Sequence, residues 1–265
     1  MKEIPFPEGV MPLEIFVGSV GKNRTTDTVD GRAGVVDYGF NYTDRPVSLF
    51  LRIKAADAAD FRLLRNEVFA TFDVGSAFYV AESDVPSRVL KVVVDESYIP
   101  DRLTEEYADF DINCRTLDSV FWESKYTTLE LHDSGYSATA EKYGLVDNID
   151  DEKVKYRFTE SNFTVYNAGN VTVEPESMLL HIFVASTTGD SITIKNNTTD
   201  EVFTLNRKMN ARHIQINGMV VTDGTTQVFR DTNKRFIRLA PGDNNITVSG
   251  ATFNEMRFNF KYYYK

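Results

Sequence analysis

Three histidines, one cysteine and 39 aspartates and glutamates are the side chains of this 265-residue chain that could hold a metal, carry a proton or attack a substrate. His132, His181 and His213 stand far apart, each in a different predicted segment, and with a single cysteine beside them no metal-ligand spacing emerges. His213 alternates with Ile214 and Ile216, which places it on a wet strand face; His181 reads as a satisfied, half-buried residue. Cys114 lies among apolar neighbours and reads as a structural thiol, and one cysteine allows no disulfide within the chain. Glu105–Glu106 and Asp109–Asp111 offer the paired acids that glycoside hydrolysis uses. Asp109 and Asp111, however, alternate with Phe110 and Ile112, as the solvent side of a strand does. The acidic run Asp147–Glu152 lacks the spacing of an EF-hand loop and reads as a solvated linker. No phosphate-binding loop, dinucleotide fingerprint, His-Glu-x-x-His or Gly-x-Ser-x-Gly is present, so no catalytic, cofactor-binding or metal residue is assigned and no enzyme activity is expected.

The aromatic residues offer one other chemistry, stacking on sugar rings. Trp122 is the only tryptophan, but Phe121-Trp-Glu-Ser ends a predicted strand near a domain junction, so it is assigned to packing there. At the C-terminus Phe258, Phe260, Tyr262 and Tyr264 alternate with Asn259, Lys261, Tyr263 and Lys265. That is a period-two strand with an aromatic inner face, which takes Tyr262 and Tyr264 away from solvent.

Composition narrows the field further. Apolar residues make up 42% and charged residues 26%, the balance of a folded, water-soluble protein. The longest apolar run, Met178–Ala185, is broken by His181 and falls short of a membrane helix. The first residues, Met-Lys-Glu-Ile-Pro-Phe-Pro-Glu, lack the apolar core of a secretion signal. Seven Asn-x-Ser/Thr triplets, starting at Asn23, Asn41, Asn162, Asn170, Asn196, Asn197 and Asn245, read as a β-rich surface full of Asn and Thr. Residues 151–265 hold 12 acids and 14 bases, which leaves 27 acids and 15 bases in the first 150, net −12 against +2. An acidic first half disfavours binding to a phosphate backbone.

The elements that would position these residues are almost all strands. The exception is a helix at 57–72: Asp57 caps it, Asp60 lies in the first turn, and Phe61, Leu64, Val68 and Phe72 recur at steps of three and four on a core-facing side. Arg62, Arg65, Asn66 and Glu67 lie opposite. Residues 125–153 read as a junction, with a turn at Asp133-Ser-Gly. Residues 154–265 read as strands and turns without a helix, including a hairpin whose two turn residues are Asn217-Gly218. Many short strands separated by turn chemistry predict an all-β fold with one helix, the second half a sandwich or jelly roll.

The order of segments in the first half resembles the amino-terminal domain of siphophage distal tail proteins. The resemblance rests on Asp37-Tyr-Gly and Arg45-Pro, the strand Leu49–Ala55, the helix with Leu63-Leu64, then Phe78-Tyr79, Lys91-Val92, Ser97-Tyr98 and Trp122-Glu-Ser. In the second half Phe163-Thr-Val-Tyr-Asn-Ala-Gly-Asn and Pro241-Gly-Asp-Asn-Asn-Ile look like features of the same family. The resemblance implies two β-sandwich domains, a ring-forming one over 1–135 and a galectin-like, carbohydrate-module-like one over 136–265. It also implies a homo-hexameric ring in the virion that joins the tail tube to the baseplate, beside tape-measure, tail-lysin and receptor-binding proteins, with DNA passing through its lumen unbound. The family catalyses nothing. The exposed helix side and the segment from Gly18 to Arg45 are the candidate ring contacts, with Tyr38, Arg45, Arg62 and Arg65 as named residues. The acids of the first half either line the lumen or solvate the outer surface; both readings stand. A different class of function, a carbohydrate-binding accessory protein whose C-terminal sandwich grips a cell-wall polysaccharide, is the alternative.

Overall fold

A computed structural model describes residues 5–73, 75–94, 96–134, 147 and 149–265. The fold is mainly β, built on antiparallel sheets with two α-helices among the described residues, and divides into two compact units. The first holds Met1–Val80 and Leu90–Val120; the second holds Ala81–Val89 and Phe121–Lys265.

The first unit contains β1 (Val10–Val17), β2 (Gly21–Thr28), β3 (Val35–Thr43), β4 (Pro46–Lys54), α1 (Ala58–Phe72), most of β5 (Phe78–Glu82), the latter half of β6 (Val85–Val94), β7 (Asp101–Arg102) and β8 (Tyr107–Thr116). Its main sheet runs β1–β4–β8–β6, all antiparallel, with β7 beside β8. Alternation sets which side is wet: Val47, Leu49, Leu51 and Ile53 of β4 and Ala108, Phe110, Ile112 and Cys114 of β8 are buried, while Asp111 and Asn113 between the β8 residues are exposed. On the polar side Arg52 donates to both oxygens of Asp109 at 2.6 Å, and Ser48 donates to Asp111 at 3.2 Å. The acids of β8 are thus cross-strand partners on a solvent face.

Helix α1 lies against β4. Asp57 caps it by accepting from Ala59 N and Asp60 N, both at 2.8 Å, and Phe61, Leu64, Val68 and Phe72 are its buried residues. Tyr98 stacks on Phe110 at 5.9 Å and meets the edge of Phe69 at 5.5 Å, which joins the helix flank to the sheet; burial pushes its phenol up to about 12.

The second unit adds β9 (Trp122–Ser124), α2 (Thr128–Ser134), β10 (Arg157–Phe158), β11 (Asn162–Asn167), β12 (Leu180–Asn196), β13 (Glu201–Leu205), β14 (Met209–Asn217), β15 (Val220–Asp223), β16 (Thr226–Gln227), β17 (Gly242–Thr252), β18 (Glu255–Phe260) and β19 (Tyr263–Tyr264). The 17-residue β12 organises it. Its first part pairs with β14 and β18, its last part with β13 and β17, and its register breaks between Val184 and Gly189. Such irregularities let one strand bend and change neighbours. Phe258, Phe260, Tyr262, Tyr156 and Phe203 are fully buried in the core.

Four local expectations are corrected. The junction contains a helix: in α2, Glu130 accepts from Thr127 N at 2.7 Å while Thr127 Oγ1 accepts from Glu130 N at 3.4 Å, so Thr127-Thr-Leu-Glu130 is a capping box. Asp133 and Ser134 are its last residues, and Gly135 of the expected turn lies outside the described residues. The hairpin loop lies one residue further on than expected: Asn217 still pairs with Val220, so Gly218 and Met219 form the turn, and Gly218 alone of the two takes positive φ, at 56°. Tyr263 is buried as well as Tyr262 and Tyr264, because β18 stops at Phe260 and Tyr263 Oη accepts from Leu179 N at 3.0 Å. Finally, Asp147 is no solvated linker residue. It is 1% exposed and accepts from Ser87 Oγ at 2.5 Å and Arg88 Nε at 2.6 Å.

Candidate interaction surface

The residues with chemical potential are scattered. Glu105 and Glu106 stand on an exposed loop, Asp109 is tied to Arg52, and His132 (in α2, its Nδ1 3.4 Å from Val154 O), His181 (in β12) and His213 (in β14) lie in separate elements. Among the described residues no three His, Cys, Asp or Glu side chains gather as metal ligands, and no helix is long and apolar enough to cross a membrane. Cys114 is buried. The rings that could stack on a sugar, Trp122 and Tyr262–Tyr264, are buried in the second unit, where Trp122 pairs with Tyr264. Of the Asn-x-Ser/Thr asparagines, Asn196 is also internal: it is fully buried and donates to Arg238 O at 2.7 Å and Asn244 Oδ1 at 3.0 Å.

What the first unit offers is surface. β2 and β3 form a two-stranded sheet of their own. Nearly every side chain on it is exposed, including Val29, Val35, Tyr38, Phe40 and Tyr42. Sequence patterning missed the hairpin because its charges and threonines carry no buried face to set a period. The signal it does carry is Gly39, which sits at φ 98° where the register slips between Arg24 and Thr26; its N donates to Asp37 Oδ1 at 2.9 Å. That bulge bends the ribbon. Beyond it Phe40 and Tyr42 meet edge to face at 5.3 Å, with the Lys22 ammonium 5.0 Å from the centre of the Phe40 ring.

The named candidates fall as follows. Tyr38 is 64% exposed on β3. Arg45 is buried at the hairpin base, its Nε donating to Gly18 O at 2.5 Å. On α1, Arg62 is exposed and donates to Ala58 O at 3.1 Å, and Arg65 lies over the Phe69 ring at 5.9 Å with its buried Nε lacking a hydrogen-bond acceptor among the described residues. Between them Leu63 is 62% exposed.

Set beside models of known families, residues 10–114 match the phage tail protein RIFT-related domain. The exposed hairpin, α1 and most of the first unit's sheet lie within its matched span. No curated protein matches the sequence. Among solved structures, the chain is similar to SPP1 Dit (gp 19.1), described as a paradigm of the hub adsorption apparatus in Gram-positive infecting phages. Identity is 12%, with 96% of this chain and 94% of that chain covered and a TM-score of 0.67. Chains of the phage p2 baseplate in its activated conformation are also similar. The Sr form has 10% identity, covers 96% of this chain and 90% of that one, and gives a TM-score of 0.42; the Ca form has 10% identity, 94% and 90%, and a TM-score of 0.39. At those scores the baseplate chains add nothing to the fold, whereas the SPP1 Dit likeness is a likeness of fold over 96% of this chain.

Proposed function

We propose that this chain is a structural distal tail protein of a siphophage, a virion component that joins the tail tube to the baseplate and its receptor-binding apparatus. The observation that carries the reading is the extent of the SPP1 Dit likeness: a phage tail domain model accounts for residues 10–114, and the Dit fold continues through the rest of the chain. In this reading residues 1–135 form the ring and residues 136–265 point outward as the galectin-like module. Six copies close a ring by repeating one heterologous contact. Its neighbours are the tail tube, tape-measure or tail-lysin and receptor-binding proteins, and DNA passes through the lumen without specific binding. The protein works by surfaces rather than by chemistry, and the dispersal of its titratable groups fits that role. The carbohydrate-binding alternative gains no support from the aromatic residues, since the candidate stacking rings face the core.

Immunogold labelling of intact phage particles with an antibody against this chain tests the proposal. Label confined to the tail tip is expected; label on the capsid, along the tube or nowhere would contradict it.

A further inference from the structure

A closed ring needs two different patches on each copy, one to give and one to receive. The first unit carries two exposed features that fit each other. One is the end of the β2–β3 hairpin. An isolated two-stranded ribbon is at best marginally stable in water, and this one ends in an exposed turn, closed by Arg32 N donating to Val29 O at 3.0 Å. Val29 and Val35 are 48% and 60% exposed there, beside the exposed charges of Asp27, Asp30 and Arg32. The other is the outer side of α1, where Leu63 is 62% exposed between Arg62 and Arg65 on one flank and Glu67 on the other. The charges are complementary: two acids and one base at the hairpin end, two bases and one acid on the helix.

We propose that the hairpin end of one copy docks on the outer side of α1 of the next, Val29 and Val35 against Leu63, with Asp27 and Asp30 facing Arg62 and Arg65 and Arg32 facing Glu67. The inference rests on the ring reading above and names its repeating contact. The hairpin is long enough to reach a neighbouring copy: β2 and β3 run eight and nine residues, a span of about 27–30 Å. Val29, Val35 and Leu63 are exposed, so substitution of these three leaves the buried core of the sheet intact.

The test uses the full chain with Val29→Cys and Leu63→Cys together, oxidised at high protein concentration and resolved on a denaturing gel, with rings counted by electron microscopy. The native Cys114 is buried and leaves the assay unaffected. A ladder of disulfide-linked multimers reaching the ring size, absent from either single variant, is the expected result. In a second arm Arg62→Glu with Arg65→Glu, added to the cysteine pair, should abolish the ladder, and further adding Asp27→Arg with Asp30→Arg should restore it. Rings without cross-links would overturn the docking while leaving the ring reading in place. A cysteine pair that yields neither rings nor a ladder would overturn the docking and count against the ring as well. Cross-linking that ignores the charge reversals would overturn the pairing of charges.

Discussion

Among single residues, the least exposed charge is the most informative. Asp147 meets Arg88 at 2.6 Å, the Arg88 guanidinium lies 3.7 Å from the centre of the Tyr264 ring, and Tyr264 Oη donates to Asp147 O at 3.3 Å. Burial pushes the Tyr264 phenol far above its ordinary range, with the Asp147 charge adding to the shift, so the ring stays a neutral donor. Removing one partner of such a pair strands a charge in the core. Arg88→Met is therefore expected to cost about 3–5 kcal/mol in urea denaturation, and Asp147→Asn in the same chain should recover part of the loss. A cost no larger than that of a typical surface change would show that Asp147 is hydrated in solution. Nothing in the sequence announces this pair, because a carboxylate in an acidic run looks the same whether or not a distant arginine reaches it. Leu64, by contrast, is legible from its spacing. It is 7% exposed, and Leu64→Ala should cost about 2–5 kcal/mol as a core truncation; a loss under about 0.5 kcal/mol, the surface range, would mean the helix face packs differently.

Among elements, α1 is readable because cap, first-turn acid and apolar period agree. Its cap also carries a pH signature. Hydrogen bonds from the Asp60 and Ala59 backbone amides hold the Asp57 carboxyl below its ordinary value. A lowered folded-state pKa means the contribution is complete above the unfolded value of about 3.9 and is lost as pH falls through the folded value. Comparing Asp57→Asn with the parent chain across pH 2–6 should show the stability gap narrowing only towards the acid end, at about pH 4 and below. A gap constant over that range would deny the carboxylate its capping role. The β14–β15 hairpin makes the opposite point. Asn217-Gly218 announces a turn, yet the register set by Ile214, Ile216 and Val221, all buried, moves the loop one residue on, because core alternation outweighs turn preference. Gly218→Ala should cost about 1–2 kcal/mol from its left-handed φ, and the added Cβ would come within 2.9 Å of Pro175 O. Indifference to the change would place the positive φ elsewhere. α2 escapes notice because seven residues are too few to show a helical period, although its capping box is written in Thr127 and Glu130.

For the whole molecule, strand alternation reveals the β class, and the order of segments carries the resemblance. The surfaces stay illegible, since a contact between copies leaves no period in one chain. Charge is the one global property that speaks to them. The first 150 residues carry net −12. If the ring domain lines a conduit for DNA, acids on that wall would repel the phosphate backbone over about 8–10 Å at physiological salt, whereas a basic wall would hold it by counterion release. The same acids on the outside would serve solvation alone.

A reconstruction of the tail tip bears on all of this at once and tests the central claim directly. The account predicts this chain as a closed six-fold ring around the tail axis. Density that placed the chain off the axis, as a fibre or a lone subunit beside the tube, would contradict it.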